Sequence, residues 1–430
     1  MTGTRNHAAD LYRVLALVMV VIGHWIAAAL TFRDGAFYRE NPLVELPWTQ
    51  WLTWLFQVVP VFFVVAGYAS AVSWSRLGDD GQSRQAWIRH RLTRPLGPTA
   101  VYVVIVLLIV AALAAAGVAG TELDFGAWAV AMHLWFLGIY VLVIALTPVA
   151  VAAHRRWGLW VPLGLVMAVA VVDAASIGAH VPYVAWLNYL LPWAALYQLG
   201  IAWQDGLVGR RGALVGAAVS AVALVLLVTV GPYPISMIGV PGQALNNTSP
   251  PNLALLALGL TQSGLALAAA PAVNRALNSA WAQRILAVAN DNVMALYLWH
   301  MIPVVVVALV GYPTGLLPRP ELGTAAWWWF RLGWVAILAV VALVELVLLW
   351  RGRAFFAAPL PSVTVPIPAP LGAALMAAGT LAIAAALTKI SIGGFAPDGR
   401  VPVGTAAWFA AGLVLVALTP SVSDTPRRRA

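Results

Sequence analysis

Arg13 and His24 stand eleven residues apart on the first long apolar stretch of the chain, Asp10-Leu-Tyr-Arg13-Val-Leu-Ala-Leu-Val-Met-Val-Val-Ile-Gly-His24. Eleven steps of about 100° come within about 20° of whole turns, so a helix carries both side chains on one face. At about 1.5 Å per residue, His24 lies roughly 16 Å beyond Arg13, near the middle of a bilayer about 30 Å thick. An imidazole at that depth is costly, and such groups are candidates for proton transfer or nucleophilic chemistry. Asp10 is three residues before Arg13, the spacing of an ion pair that holds the arginine in place.

Two further histidines sit among aromatic residues. His133 opens a span in His133-Leu-Trp135-Phe-Leu137 near the outer surface, and His133 and Trp135 lie near the rim of an acidic outer loop that could receive a polar acceptor. His300 lies deeper, in Tyr297-Leu-Trp-His300. An interfacial aromatic belt with hydrogen-bonded histidines is the competing reading of both. No His-x-x-x-His spacing supports a zinc site, so no metal is assigned. Asp291, flanked by Asn290 and Asn292, reads equally as a helix cap or a polar site near the inner face. A basic segment contains Arg89, Arg91 and Arg94; Arg91 and Arg94 are one helical turn apart and suit an anion such as a phosphate. Plain membrane topology explains the same charges.

The elements that position these residues follow from composition. Of 430 residues, 62% are hydrophobic and 9% charged, and the mean hydropathy is +0.88. Soluble domains carry about 25% charge, so this is an all-α polytopic membrane protein, its apolar runs being continuous rather than alternating. The chain has no cysteine, which excludes disulfides and thiol catalysis. Its net charge of +9 does not indicate nucleic acid, because the basic residues lie in short connections between apolar runs. No cleavable signal peptide is evident.

Twelve spans are read, at 13–32, 51–74, 98–118, 128–152, 157–174, 186–203, 212–231, 252–272, 285–310, 326–350, 369–388 and 403–420. With both termini on the cytoplasmic side of the cell membrane, 18 of the 24 Lys and Arg residues fall inside. Residues 31–50 form an acidic outer loop with Asp34, Glu40 and Glu45; 75–97 form a basic inner loop; 232–251 form a Pro/Gly/Asn-rich outer loop. Pro60 and Gly67 loosen the second span. A Pro-rich stretch, 354–368, separates a core of residues 1–353 from a final region, 354–430, with two more spans and a basic tail. No Walker-type phosphate loop is present.

Together these segments resemble the membrane-bound acyltransferase-3 family. Asp10-Leu-Tyr-Arg13, Ala16 and His24, with ten residues between the arginine and the histidine, resemble its opening pattern. Pro60-Val-Phe-Phe63 with Gly67-Tyr68 resembles its second-span motif, with Ala66 where serine is usual. Arg91-Leu-Thr-Arg94-Pro95 resembles its Arg-x-x-Arg-x-x-Pro segment, with Pro arriving early and Pro98 a second candidate. His133 to Leu137 and Tyr297 to His300 match two further signatures. The resemblance spans about the first 310 residues and leaves out the last two spans.

The resemblance implies about ten core helices around a central pore, to which the final pair is added. It implies transfer of an acyl group, usually acetyl, from cytoplasmic acyl-CoA to a hydroxyl acceptor, often a sugar, polysaccharide or secreted small molecule. By residue, it implies essential chemistry at His24 with support from Arg13, and phosphate binding by Arg91 and Arg94, beside which Arg89 stands. Acyl-CoA is then a donor substrate, and no cofactor is bound permanently. His24 would serve as general base or as acyl carrier, and both routes remain open. His133, Trp135, Tyr297 and His300 are candidates for lining the substrate path. A proton-coupled transporter, with His24, His300 and Asp291 as relay, is the alternative, but no paired broken helices recur in matching halves.

Overall fold

A computed structural model describes residues 5–77 and 83–420. The described residues are predominantly helical, as the continuous apolar runs require. Nine helical segments among the described residues are long and apolar enough to cross a membrane, ten when the bent pair Ala280–Trp299 and Met301–Gly311 counts as one. Two of the twelve expected spans are short. The stretch 186–203 breaks into a 3-10 turn and a 14-residue helix, Leu191–Gln204; the last is a 15-residue helix, Val403–Ala417. Each covers only about 21–23 Å of a bilayer about 30 Å thick. The expected basic tail at 427–429 lies outside the described residues.

Two compact units, discontinuous in sequence, make up the chain. One comprises Met1–Arg76, Pro148–Val293 and Val306–Val341, the other Leu77–Thr147, Met294–Val305 and Ala342–Ala430. In the first, helix α1 (His7–Ala27) and helix Leu191–Gln204 both pack on α2 (Val59–Ser75). Gly67 of α2 abuts the Tyr197 carbonyl and Gly200 abuts the Val64 carbonyl; a methyl at either site would overlap the opposing backbone. Gly67 therefore permits a close crossing of two helices rather than loosening one. Pro60 sits in the first turn of α2, where its missing N–H costs no hydrogen bond.

Beyond α1 the chain turns into an antiparallel hairpin, β1 (Leu30–Arg33) with β2 (Ala36–Arg39). Asp34 and Gly35, both with positive φ, make its tight turn. The hairpin ends α1 at Ala27, five residues short of the expected 32. His24 thus occupies the last turn of α1, near the hairpin, and not the middle of the span.

The Pro/Gly/Asn-rich stretch after Thr229 is held by specific bonds. Asn247 donates from Nδ2 to the carbonyls of Pro234 and Ser236 at 2.8 and 2.9 Å. Buried Asp173 accepts from Asn188 Nδ2, the Tyr233 hydroxyl and the Leu253 amide, each at 2.8 Å. Burial, and then the Asp173 carboxylate, push the Tyr233 phenol above its ordinary range, so it remains a neutral donor.

In the second unit, α3 (Arg84–Ala115) absorbs most of the expected basic loop. Pro95 and Pro98 lie inside α3, and the Pro-rich stretch runs beside them: the Leu360 amide donates to the Thr93 carbonyl at 2.9 Å, and Gly97 abuts the Ala358 carbonyl. The final helices, Ala369–Gly393 and Val403–Ala417, pack on each other, and the former packs on helix Trp135–Ala145.

Gly67→Ala is expected to cost about 1–3 kcal/mol, the range for overpacking. Thermal unfolding in detergent checks this against Gly212→Ala, where a methyl meets open space and the midpoint should not move.

Candidate functional site

The residues singled out in the sequence fall into three groups, each within one unit. On α1, Asn6 caps the helix by accepting from the Ala9 amide, and Asn274 accepts from the Ala8 amide at 2.9 Å. The Tyr12 hydroxyl donates to the Ala266 carbonyl at 2.7 Å. Arg13 is two-thirds buried and fixed from two sides. Its Nε donates to Asn290 Oδ1 at 2.8 Å, its Nη2 also reaches that oxygen, and Nη2 lies 3.3 Å from Asp10 Oδ1. Asp10 in turn accepts from Arg5 Nε at 2.7 Å. The guanidinium is thus oriented by one carboxylate and one amide.

His24 is partly buried. The last carbonyls of a helix lack intrahelical donors, and around His24 side chains supply them. Trp334 Nε1 donates to the Trp25 carbonyl at 3.1 Å, and Arg331 Nη1 donates to the Ala28 carbonyl at 2.9 Å. Gly23 faces Phe56. Both ends of α1 are thereby tied, with Arg13 and His24 between the ties.

The second group brings together two distant sequence motifs. His133 lies in a 3-10 turn, Met132–Leu134, that interrupts the span Gly120–Ala145. It is buried mid-span, and neither opens the span nor lines a rim. His300 stands at the 53° bend between Ala280–Trp299 and Met301–Gly311 and is fully buried. Their rings are 4.9 Å apart, centroid to centroid. The Tyr297 hydroxyl donates to the His133 carbonyl at 2.5 Å, and Tyr297 also packs edge-on against the His133 ring at 5.2 Å. His300 Nδ1 lies 2.8 Å from the Tyr297 carbonyl; a carbonyl only accepts, so Nδ1 is the donor. Trp135 packs against Phe136, whose ring meets Tyr297 at 5.3 Å. Tyr102, not singled out in the sequence, joins from α3: it packs 5.9 Å from His133 and donates to the Val130 carbonyl at 2.5 Å.

The third group is on α3. Arg89 is buried and donates to the carbonyls of Val416 and Leu418, at 3.3 and 2.7 Å. It ties α3 to the end of the last helix. Arg91 is partly buried, its guanidinium 5.6 Å from the Trp87 ring, and Arg94 is exposed one turn further on. Among the described residues no group of three His, Asp or Glu side chains is placed to hold a metal ion.

Asn290 is the partner that the spacing of Arg13 did not reveal. Its signal was one amide in the polar run Asn290-Asp291-Asn292 of a mostly apolar helix, with no sequence clue to what it faced.

No curated protein and no solved structure matches the chain. The family model described as an acyltransferase domain, that of the acyltransferase-3 family, matches residues 6–350. This range contains Arg13, His24, the α3 arginines, His133 and His300. The chain therefore belongs to the acyltransferase-3 family, and it is a multi-pass acyltransferase of membranes.

Proposed function

We propose that the protein moves an acyl group, acetyl in the simplest case, from cytoplasmic acyl-CoA to a hydroxyl of an acceptor such as a sugar, polysaccharide or secreted small molecule. Its setting would be the cell membrane, with both termini cytoplasmic. The observation that supports this reading best is the rigid mounting of Arg13 and His24 on one doubly tied helix inside the matched domain. In the direct route, His24 takes the proton as the acceptor oxygen attacks the thioester carbon. The carbon–sulfur bond then breaks and the departing thiolate takes up a proton. In the relayed route, a His24 nitrogen first forms the bond to the acyl carbon, CoA leaves, and the acceptor hydroxyl displaces the imidazole. Arg13, roughly 16 Å along the helix from His24 and too far to touch the same reacting carbon, would instead help to hold the donor. Arg91 and Arg94 would grip the phosphates of CoA, for which the guanidinium fork is suited. Arg89, engaged with two carbonyls, would act by anchoring their helix.

Membranes containing His24→Ala should lose acyl-CoA-dependent acylation by about 10²–10⁴-fold, the contribution of a general base. Undiminished product formation would remove His24 from the chemistry. Arg91→Ala combined with Arg94→Ala should raise the KM for acyl-CoA by at least about tenfold, since each hydrogen bond to a charged group contributes about 1.5–3 kcal/mol. An unchanged KM would place CoA elsewhere.

A further inference from the structure

A cavity of about 430 Å³ lies in the first unit where α1 gives way to the hairpin. Its wall includes Phe32 and Arg33 of β1, Arg319, Trp327 and Arg331. The volume is within the range of small-molecule sites and suits one or two sugar rings. Three arginines line it, but among the described residues only Arg33 has a carboxylate within 4 Å, Glu40 at 3.2 Å.

Arg331 is the unusual member. It is 3% exposed, and its guanidinium lies over Trp327, Phe330 and Trp334 at 5.0, 5.3 and 5.6 Å. Nη1 is engaged by the Ala28 carbonyl, and the guanidinium also meets the Tyr312 side chain and the charge of Glu40, whereas the buried Nε has no hydrogen-bond partner. Aromatic faces offset only part of the cost of a buried cation; a bound anion would offset more. Arg319 is exposed, donates to the Tyr312 carbonyl at 2.9 Å and covers the Phe32 ring at 5.3 Å. The carboxylates on the wall oppose an anion, but each has a place. Glu40 is held by Arg33 and also acts on Arg331, Glu45 accepts from the Asn41 amide at 3.3 Å, and Glu321 remains to accept from hydroxyls.

We propose that this cavity binds the acceptor, and that the acceptor carries an anionic oxygen group, carboxylate or phosphate, beside its hydroxyls. The assignment as acceptor site rests on the acyl-transfer reading; the anion specificity rests on Arg331 and Arg319 alone. Arg331 also grips the carbonyl four residues past His24, so the cavity and the proposed reactive residue share one helix end.

The test is calorimetric titration of the full-length protein in detergent with glucuronate, glycerol phosphate and glucose, without acyl donor. Either anion should bind at least about tenfold, or 1.4 kcal/mol, more tightly than glucose. Which of the two binds identifies carboxylate or phosphate as the source. Arg319→Gln should weaken the anion by a similar factor with an unchanged thermal midpoint, and Arg331→Lys, which keeps the charge, should retain part of the affinity that Arg331→Gln loses. Equal binding of glucose, no binding by either anion at millimolar concentration, or full affinity in Arg319→Gln overturns the proposal. Because no donor is present, the two readings separate. Anion binding without any acyl-CoA-dependent acylation would keep the anion site and end the acyl-transfer reading. Acylation without anion binding would do the reverse.

Discussion

A charged side chain in an apolar span must find its partners inside the protein, because the hydrocarbon around it offers none. That requirement organises the chain. Arg13 is satisfied by Asp10 and Asn290, and the need to satisfy it brings helix Ala280–Trp299 to α1. Arg89 is satisfied by two carbonyls at the end of the last helix, which fastens a segment outside the family domain to the arginine helix. Asp173 collects three donors and so fixes a loop rich in Pro, Gly and Asn that would otherwise have no reason to hold one shape. Arg331 is satisfied only in part, and its side chain lines a cavity.

The same constraint explains what the sequence made legible. Hydropathy finds most spans because a spanning helix needs about twenty apolar residues in a row, and the run around Arg13 and His24 is one of them. The polar residues inside those runs were conspicuous for the same reason, so Asp10, Arg13, His24, His133 and His300 could be named before any partner was visible. Membership of the acyltransferase-3 family could be read from short motifs in order, though each was weak alone.

What could not be read was where helices end or break. A hairpin nucleated by Asp34-Gly35 stops α1 at Ala27, and hydropathy does not register a turn that follows an apolar run. His133 and His300 each mark an interruption within a span, and the interruptions bring their rings together. A window average smooths over such breaks. Gly67 was misread for a related reason: its backbone is regular, and its purpose shows only when the Tyr197 carbonyl is seen against it. Asn290 likewise acquires meaning only from Arg13, 277 residues away.

We propose that the imidazole of His24, mounted on a helix tied at both ends, carries the acyl transfer. The most direct measurement uses purified protein reconstituted in vesicles with labelled acetyl-CoA and a membrane extract as the source of acceptors. If His24 carries the transfer, label appears on a hydroxyl acceptor with the native chain and not above background with His24→Gln, while Asp291→Asn behaves as the native chain does. Transfer by His24→Gln at the native rate would contradict it.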